Sequence, residues 1–171
     1  MTSFGNSLLV IGGARSGKSR HAQTQAETLP GELVYIATAQ ACDEEMRAKI
    51  ARHRADRGAR WRTVEAPLAL AEAIAAEHRP ILVDCLTLWA TNLLLSEEDP
   101  EPRITALLDT IATNRALILV TNEVGMGIVP DNALSRRFRE LAGEINQRVA
   151  AAVDRVDLAV AGLILPLKRT S

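Results

Sequence analysis

Five short apolar runs recur along the chain, at Leu8–Ile11, Leu33–Ile36, Ile81–Val83, Leu117–Val120 and Leu158–Ala161. Runs of this length with little polar alternation predict strands buried on both faces. Between them lie longer stretches suited to helices, roughly 18–29, 43–57, 67–78, 86–95, 103–115 and 133–153. Pro30-Gly31 ends the first of these, and Pro67 suits the first turn of the third. Strand and helix therefore alternate, which is the pattern of βαβ units. The predicted fold is α/β, a mostly parallel sheet flanked by helices. Ser96–Pro102, acidic and interrupted by prolines, reads as a surface connection.

In such sheets ligands bind at the carboxyl ends of the strands, so the residues just after each run carry the chemistry. The first run leads into Gly12-Gly13-Ala14-Arg15-Ser16-Gly17-Lys18-Ser19, which fits G-x-x-x-x-G-K-[ST]. A strand before and a helix after are the context this loop needs. Its glycines let backbone N–H groups turn around phosphate oxygens, and the helix start adds partial positive charge. Lys18 can reach the outer phosphates, and the Ser19 hydroxyl can ligate Mg²⁺. The competing reading is a Gly-rich turn before an ordinary helix. After the second run, Ala37-Thr38-Ala39-Gln40 is small enough to lie against a nucleotide. The third run ends at Asp84, either a second Mg²⁺ ligand or the cap of the helix that follows. The fourth opens into Thr121–Pro130, where two glycines and Glu123 suggest either close approach to a bulky ligand or a turn held by Glu123.

Composition narrows the class without choosing a function. The chain has 171 residues, 47% hydrophobic and 24% charged, enough for one soluble domain with a proper core. A net charge of −1 gives no global field for nucleic acid. No apolar run is long enough to span a membrane, and no secretory signal is apparent. Cys42 and Cys85 lie far apart without metal-ligand spacing, as expected of reduced thiols in a cytoplasmic protein.

One region departs from this balance. Seven of the 20 Lys and Arg residues lie between Arg47 and Arg62. They could form a solvated helix face, contact RNA or grip phosphates. With Trp61 the only aromatic residue in the patch, base stacking on several rings is unavailable. His53 lies inside it. Met46, Ile50 and His53 fall on one helical face, so packing explains His53 as well as chemistry does. The chemical reading is a nucleophilic imidazole among guanidinium groups, holding a transferred group as a phosphoramidate. His21 and His78 read as ordinary helix residues, His21 close enough to the loop to meet substrate.

The order of several stretches decides between these alternatives. GGARSGKSRHA at Gly12–Ala22, YIATA at Tyr35–Ala39 and EMRAKIARHRADR within Asp43–Glu65 are followed by DCLTLWATN at Asp84–Asn92. NEVGMGIVP at Asn122–Pro130 and LSRRFRELAGEINQ at Leu134–Gln147 complete the set. Together they resemble the bifunctional adenosylcobinamide kinase/adenosylcobinamide-phosphate guanylyltransferase family of cobalamin biosynthesis. The resemblance implies a P-loop NTPase-like (RecA-like) fold. It also implies phosphorylation of adenosylcobinamide by ATP or GTP, then transfer of GMP from GTP through a guanylylated His53, with Mg²⁺ as cofactor. The nucleotide contacts it implies are Gly12–Ser19, Ala37, Thr38, Ala39, Arg54, Ala55, Asp56, Arg57, Glu65 and Asp84. Ser19 and Asp84 are the expected metal ligands, and a homotrimer is the expected assembly. A single-activity small-molecule kinase and a regulatory ATPase remain the rivals.

Overall fold

The computed structural model describes residues 7–40, 58–113 and 116–169. His53, Arg54, Ala55, Asp56, Arg57, Cys42 and the helix expected over 43–57 lie outside them. Among the described residues seven strands form one sheet: β1 (Ser7–Gly12), β2 (Leu33–Ala37), β3 (Trp61–Glu65), β4 (Ile81–Asp84), β5 (Leu117–Asn122), β6 (Arg155–Val160) and β7 (Leu163–Arg169). Their spatial order is β3-β2-β4-β5-β1-β6-β7, and only the β6–β7 pairing is antiparallel. The helices are α1 (Lys18–Glu27), α2 (Leu70–Ala75), α3 (Leu86–Leu95), α4 (Glu101–Ile111) and α5 (Ala133–Ala152).

Strand alternation sorts the core into two layers. Leu9, Val34, Ile36, Ile81, Val83, Leu117 and Leu119 face one side, where α2 to α5 supply Ile74, Trp89, Leu93, Leu107, Ile145 and Val149. Leu8, Val10, Leu82, Ile118 and Val120 face the other, against Ala22 and Ala26 of α1. The small alanine contacts let α1 lie close to the sheet and bring its first turn over the tip of β1.

Several boundaries differ from the sequence expectations, each for a local reason. The third helix starts at Leu70, so Pro67 precedes it, and its carbonyl accepts a hydrogen bond from Asn92 Nδ2 at 2.8 Å. This helix ends at Ala75, leaving His78 exposed in the loop before β4. Pro100 is the N-cap of α4 and Pro102 lies in its first turn, where a missing N–H costs nothing, so the acidic connection is shorter than Ser96–Pro102. β6 runs from Arg155, and Ala161 belongs to the turn after it, with φ 51°. β3 and β7 were not expected. Both are edge strands; β7 carries Pro166 opposite Asp157, beside an irregularity in register, as an edge permits.

Candidate nucleotide site

The loop from Gly13 to Gly17 leaves β1 between the tips of β5 and β6. Gly12 has no room for a side chain, because a Cβ there would lie 2.5 Å from both the Ala159 carbonyl oxygen and Ser16 Oγ. Gly17, at φ 94°, is the N-cap of α1 and supplies no side-chain acceptor to the first turn. The first N–H groups of α1 therefore stay open, as a phosphate site requires. Among the described residues, no group accepts from the N–H of Ala14, Arg15 or Gly17. Lys18 Nζ rests on the Gly13 carbonyl at 3.1 Å, folded over the mouth of the loop. The turn between β6 and β7 braces the loop from one side: Gly162 N–H donates to the Ser16 carbonyl at 2.9 Å. His21 braces it from below, its Nε2 lying 2.9 Å from Oδ2 of the buried Asp157, which also holds Arg169. His21 is thus tied to the sheet.

Asp84 ends β4 on the α1 side of the sheet, two strands from β1, so about 10 Å from the loop at the usual strand spacing. The Tyr35 hydroxyl donates to Asp84 Oδ2 at 3.0 Å. The N-cap of α3 is Cys85, without a side-chain cap, so the structure does not use Asp84 to cap the helix. Ser19 is exposed in the first turn of α1. A hydroxyl and a carboxylate are hard oxygen donors of the kind Mg²⁺ takes, usually completed by water and substrate phosphates. Burial, and then the charge of Asp84, pushes the Cys85 thiol up, which removes it as a nucleophile at neutral pH.

The residues after β2 are less available than their size suggests. Thr38 is fully buried; its hydroxyl donates to the Cys85 carbonyl at 2.7 Å and accepts from the Cys85 N–H at 2.9 Å. Its carbonyl accepts from Asn92 Nδ2 at 2.8 Å. Ala37 is also buried, and Ala39 half-buried. Glu65 ends β3 exposed, four strands from β1, or about 19 Å at the usual spacing. Gly12–Ser19, Asp84, Ala37–Ala39 and Glu65 therefore line the carboxyl ends of the strands in that order, with Asp84 and Ala37–Ala39 between the two outer groups.

Two arginines of the basic patch are structural. Arg60 donates to the carbonyls of Glu27, Leu29 and Gly31 and closes the end of α1, while Arg62 pairs with the buried Glu77. Glu123 also has a defined job. Its Oε1 accepts from the N–H groups of Gly125 and Met126, and Arg139 donates to the Gly125 carbonyl. The turn reading of Glu123 is the one the structure supports. The loop it shapes exposes Met126, Ile128 and Val129. Sequence reasoning missed Tyr35 and Asn122, although both stood inside stretches that marked the resemblance.

The model of the cobinamide kinase / cobinamide phosphate guanyltransferase family matches residues 8–167. This chain belongs to that family. It is 50% identical over 167 residues to the bifunctional adenosylcobalamin biosynthesis protein CobP of Pseudomonas aeruginosa, covering 94% of this chain and 96% of the relative. It is 44% identical over 180 residues to the bifunctional protein CobU of Salmonella typhimurium, covering 94% and 99%. In fold, this family member resembles an ATPase of a bacterial type III secretion system, with TM-score 0.54, 13% identity, and coverage of 95% of this chain and 58% of the other. That likeness is one of fold alone: a mostly parallel sheet flanked by helices. No helix among the described residues is long and apolar enough to cross a membrane.

Proposed function

We propose that this protein phosphorylates the hydroxyl of adenosylcobinamide with ATP or GTP. It then transfers GMP from a second GTP to the new phosphate, giving adenosylcobinamide-GDP and pyrophosphate. The family match over residues 8–167 carries this reading. The open N–H groups of the loop and of α1 give it a physical basis.

The kinase step needs positioning and charge rather than covalent help from the protein. Backbone N–H groups from Gly13 to Ser19 hold the phosphates, and Lys18 moves from the Gly13 carbonyl to their outer oxygens. Ser19 and Asp84 are the residues that would hold Mg²⁺, which neutralises phosphate charge when bound. The hydrogen bond from Tyr35 fixes Asp84 Oδ2 and leaves Oδ1 free for that task. Glu123, bound to its own loop, does not act as the base.

The guanylyl step uses His53 as nucleophile. Its imidazole attacks the α-phosphorus of GTP, pyrophosphate leaves, and the phosphate of the substrate then takes GMP from the histidine. Arg54, Ala55, Asp56, Arg57, Ala37–Ala39 and Glu65 complete the nucleotide contacts that the family resemblance implies. A single domain carries both steps, in the cytoplasm. The assembly is a homotrimer; the exposed Leu163, Leu165 and Leu167 on edge strand β7 supply apolar surface for such association.

Mass spectrometry of products from adenosylcobinamide, GTP and Mg²⁺ tests the reading. The expected result is adenosylcobinamide phosphate followed by adenosylcobinamide-GDP. Accumulation of the phosphate alone would reduce the protein to a kinase. Nucleotide hydrolysis indifferent to adenosylcobinamide would remove the metabolite substrate altogether.

A further inference from the structure

Asn122 is the last residue of β5, paired with Gly12 at the root of the phosphate loop. β5 is the strand between the loop-bearing β1 and the Asp84-bearing β4. Asn122 lies four and two residues after Ile118 and Val120, both in the layer under α1, so its side chain shares the side of the sheet occupied by the loop and Asp84. Its Oδ1 is buried and has no hydrogen-bond partner. Among the described residues the other atom in this condition is Ser16 Oγ, which lies against Gly12.

The backbone of Asn122, by contrast, is held on every side. Its N–H donates to Thr87 Oγ1 at 2.7 Å, and its carbonyl accepts from Asn146 Nδ2 at 3.1 Å. Asn146 Oδ1 in turn accepts from Thr121 Oγ1 at 2.7 Å. A buried polar network thus fixes the main chain while one side-chain oxygen goes unused. Leaving a buried acceptor unpaired is unfavourable, so an orphan within an otherwise satisfied network marks a place where a partner arrives from outside.

The chemistry of that partner is constrained. Amide oxygen only accepts, and phosphate oxygens of a bound triphosphate accept as well. The partner must bring a proton, and it must fit between the phosphate loop and Asp84, beside the outer phosphate. Resting on the kinase reading above, we infer that Asn122 Oδ1 accepts a hydrogen bond from the alcohol of the corrinoid substrate and aims its oxygen at the γ-phosphorus. In the transfer the alcohol oxygen bonds to the γ-phosphorus, the bond to the β,γ-bridging oxygen breaks with its electron pair on the departing diphosphate, and one proton passes to solvent. The carboxamide orients the hydroxyl and takes up no proton.

This assignment separates the two steps of the enzyme. The alcohol exists only in the kinase substrate, since the guanylyl step starts from the phosphate. Asn122→Ala is therefore assayed with adenosylcobinamide plus ATP, with adenosylcobinamide phosphate plus GTP, with a fluorescent ATP analogue for affinity, and by thermal melting. The expected kinase kcat falls about 100-fold, the cost of losing orientation at the reacting atom. The ratio of kinase to guanylyltransferase activity falls by roughly tenfold or more on the same argument. The melting temperature does not fall, because the deleted oxygen had no partner to lose. An unchanged activity ratio would overturn the assignment, as would a chain that melts lower or fails to fold, since either would make Asn122 structural. Should the unsubstituted protein itself fail to phosphorylate adenosylcobinamide, the functional reading falls first.

Discussion

Two glycine-containing loops leave neighbouring strands at the same end of the sheet, and they behave in opposite ways. The loop after β1 keeps its N–H groups open: Gly17 caps α1 with no side chain, and Lys18 makes a single exposed contact to Gly13. The loop after β5 closes on itself. Glu123 takes the N–H groups of Gly125 and Met126, and Arg139 and Arg136 take the carbonyls of Gly125, Pro130 and Asp131. The helix that follows is capped as well, with Asn132 accepting from Ser135 N–H at 2.8 Å. Glycines alone therefore do not make an anion site. The difference lies in whether the protein has already supplied acceptors for the backbone donors.

The comparison breaks most visibly at Lys18. Lys18→Ala is expected to lower kinase kcat by about 100- to 1,000-fold, the usual cost of one preorganised charge on a transferring group. Melting temperature should hardly move, because only one exposed hydrogen bond is lost. Activity within tenfold of the unsubstituted protein would mean that the open loop is not the phosphate site. Gly12→Ala comes next. Its new methyl meets the Ala159 carbonyl and Ser16, which predicts destabilisation by about 1–3 kcal/mol in denaturant titration together with weakened nucleotide binding.

Glu123→Ala sharpens the other half. Losing its contacts to two N–H groups should destabilise by about 1 kcal/mol, with kinase activity kept within about tenfold. A hundredfold loss together with disappearance of an acid limb from the pH–rate profile would instead make Glu123 the base.

The smallest effect lies far from both loops. Arg148, and after it Thr105, hold Glu101 down at about 2 by hydrogen bonding. A folded-state value below the ordinary one contributes stability that is present above about 4.5, the free carboxylate range, and is lost as pH falls toward 2. Arg148→Ala should thus produce a small drop in melting temperature at neutral pH that vanishes near pH 2. The pair is solvent-exposed, so salt should erase the difference too.

The parts of this molecule that obey local rules were legible in its sequence. Strands β1, β2, β4 and β5 are built on continuous apolar runs, and the phosphate loop is a contiguous motif whose chemistry follows from its own backbone. Edge strands β3 and β7 were harder to read, because each meets only one neighbour: β3 mixes polar and apolar residues without clean alternation, and the short run Leu163–Leu165 of β7 is cut by Gly162 and Pro166 and leaves Leu163, Leu165 and Leu167 exposed. Roles fixed by distant partners were equally hidden. Arg60 and Arg62 stand in a basic patch whose sequence left a solvated face, an RNA contact and a phosphate grip open, until the carbonyls at the end of α1 and Glu77 accounted for them. Thr38 is expected to lie against the nucleotide, and nothing local announces that its hydroxyl is committed to Cys85. Asn122 lay inside a stretch that carried the resemblance, but nothing local singled it out from its neighbours. Its interest arises from strand order, which sets it between the loop and Asp84.

In the proposed function a phosphate loop and His53 divide two reactions within one chain. GTP labelled on its α-phosphate, incubated with the protein and Mg²⁺ and followed by peptide mapping, tests that division directly. The expected result is an acid-labile, alkali-stable label on the peptide containing His53. It should be released by adenosylcobinamide phosphate as adenosylcobinamide-GDP, and His53→Ala should lack the label and accumulate adenosylcobinamide phosphate. A label on another residue, or GDP-linked product formed by His53→Ala at the unsubstituted rate, would contradict it.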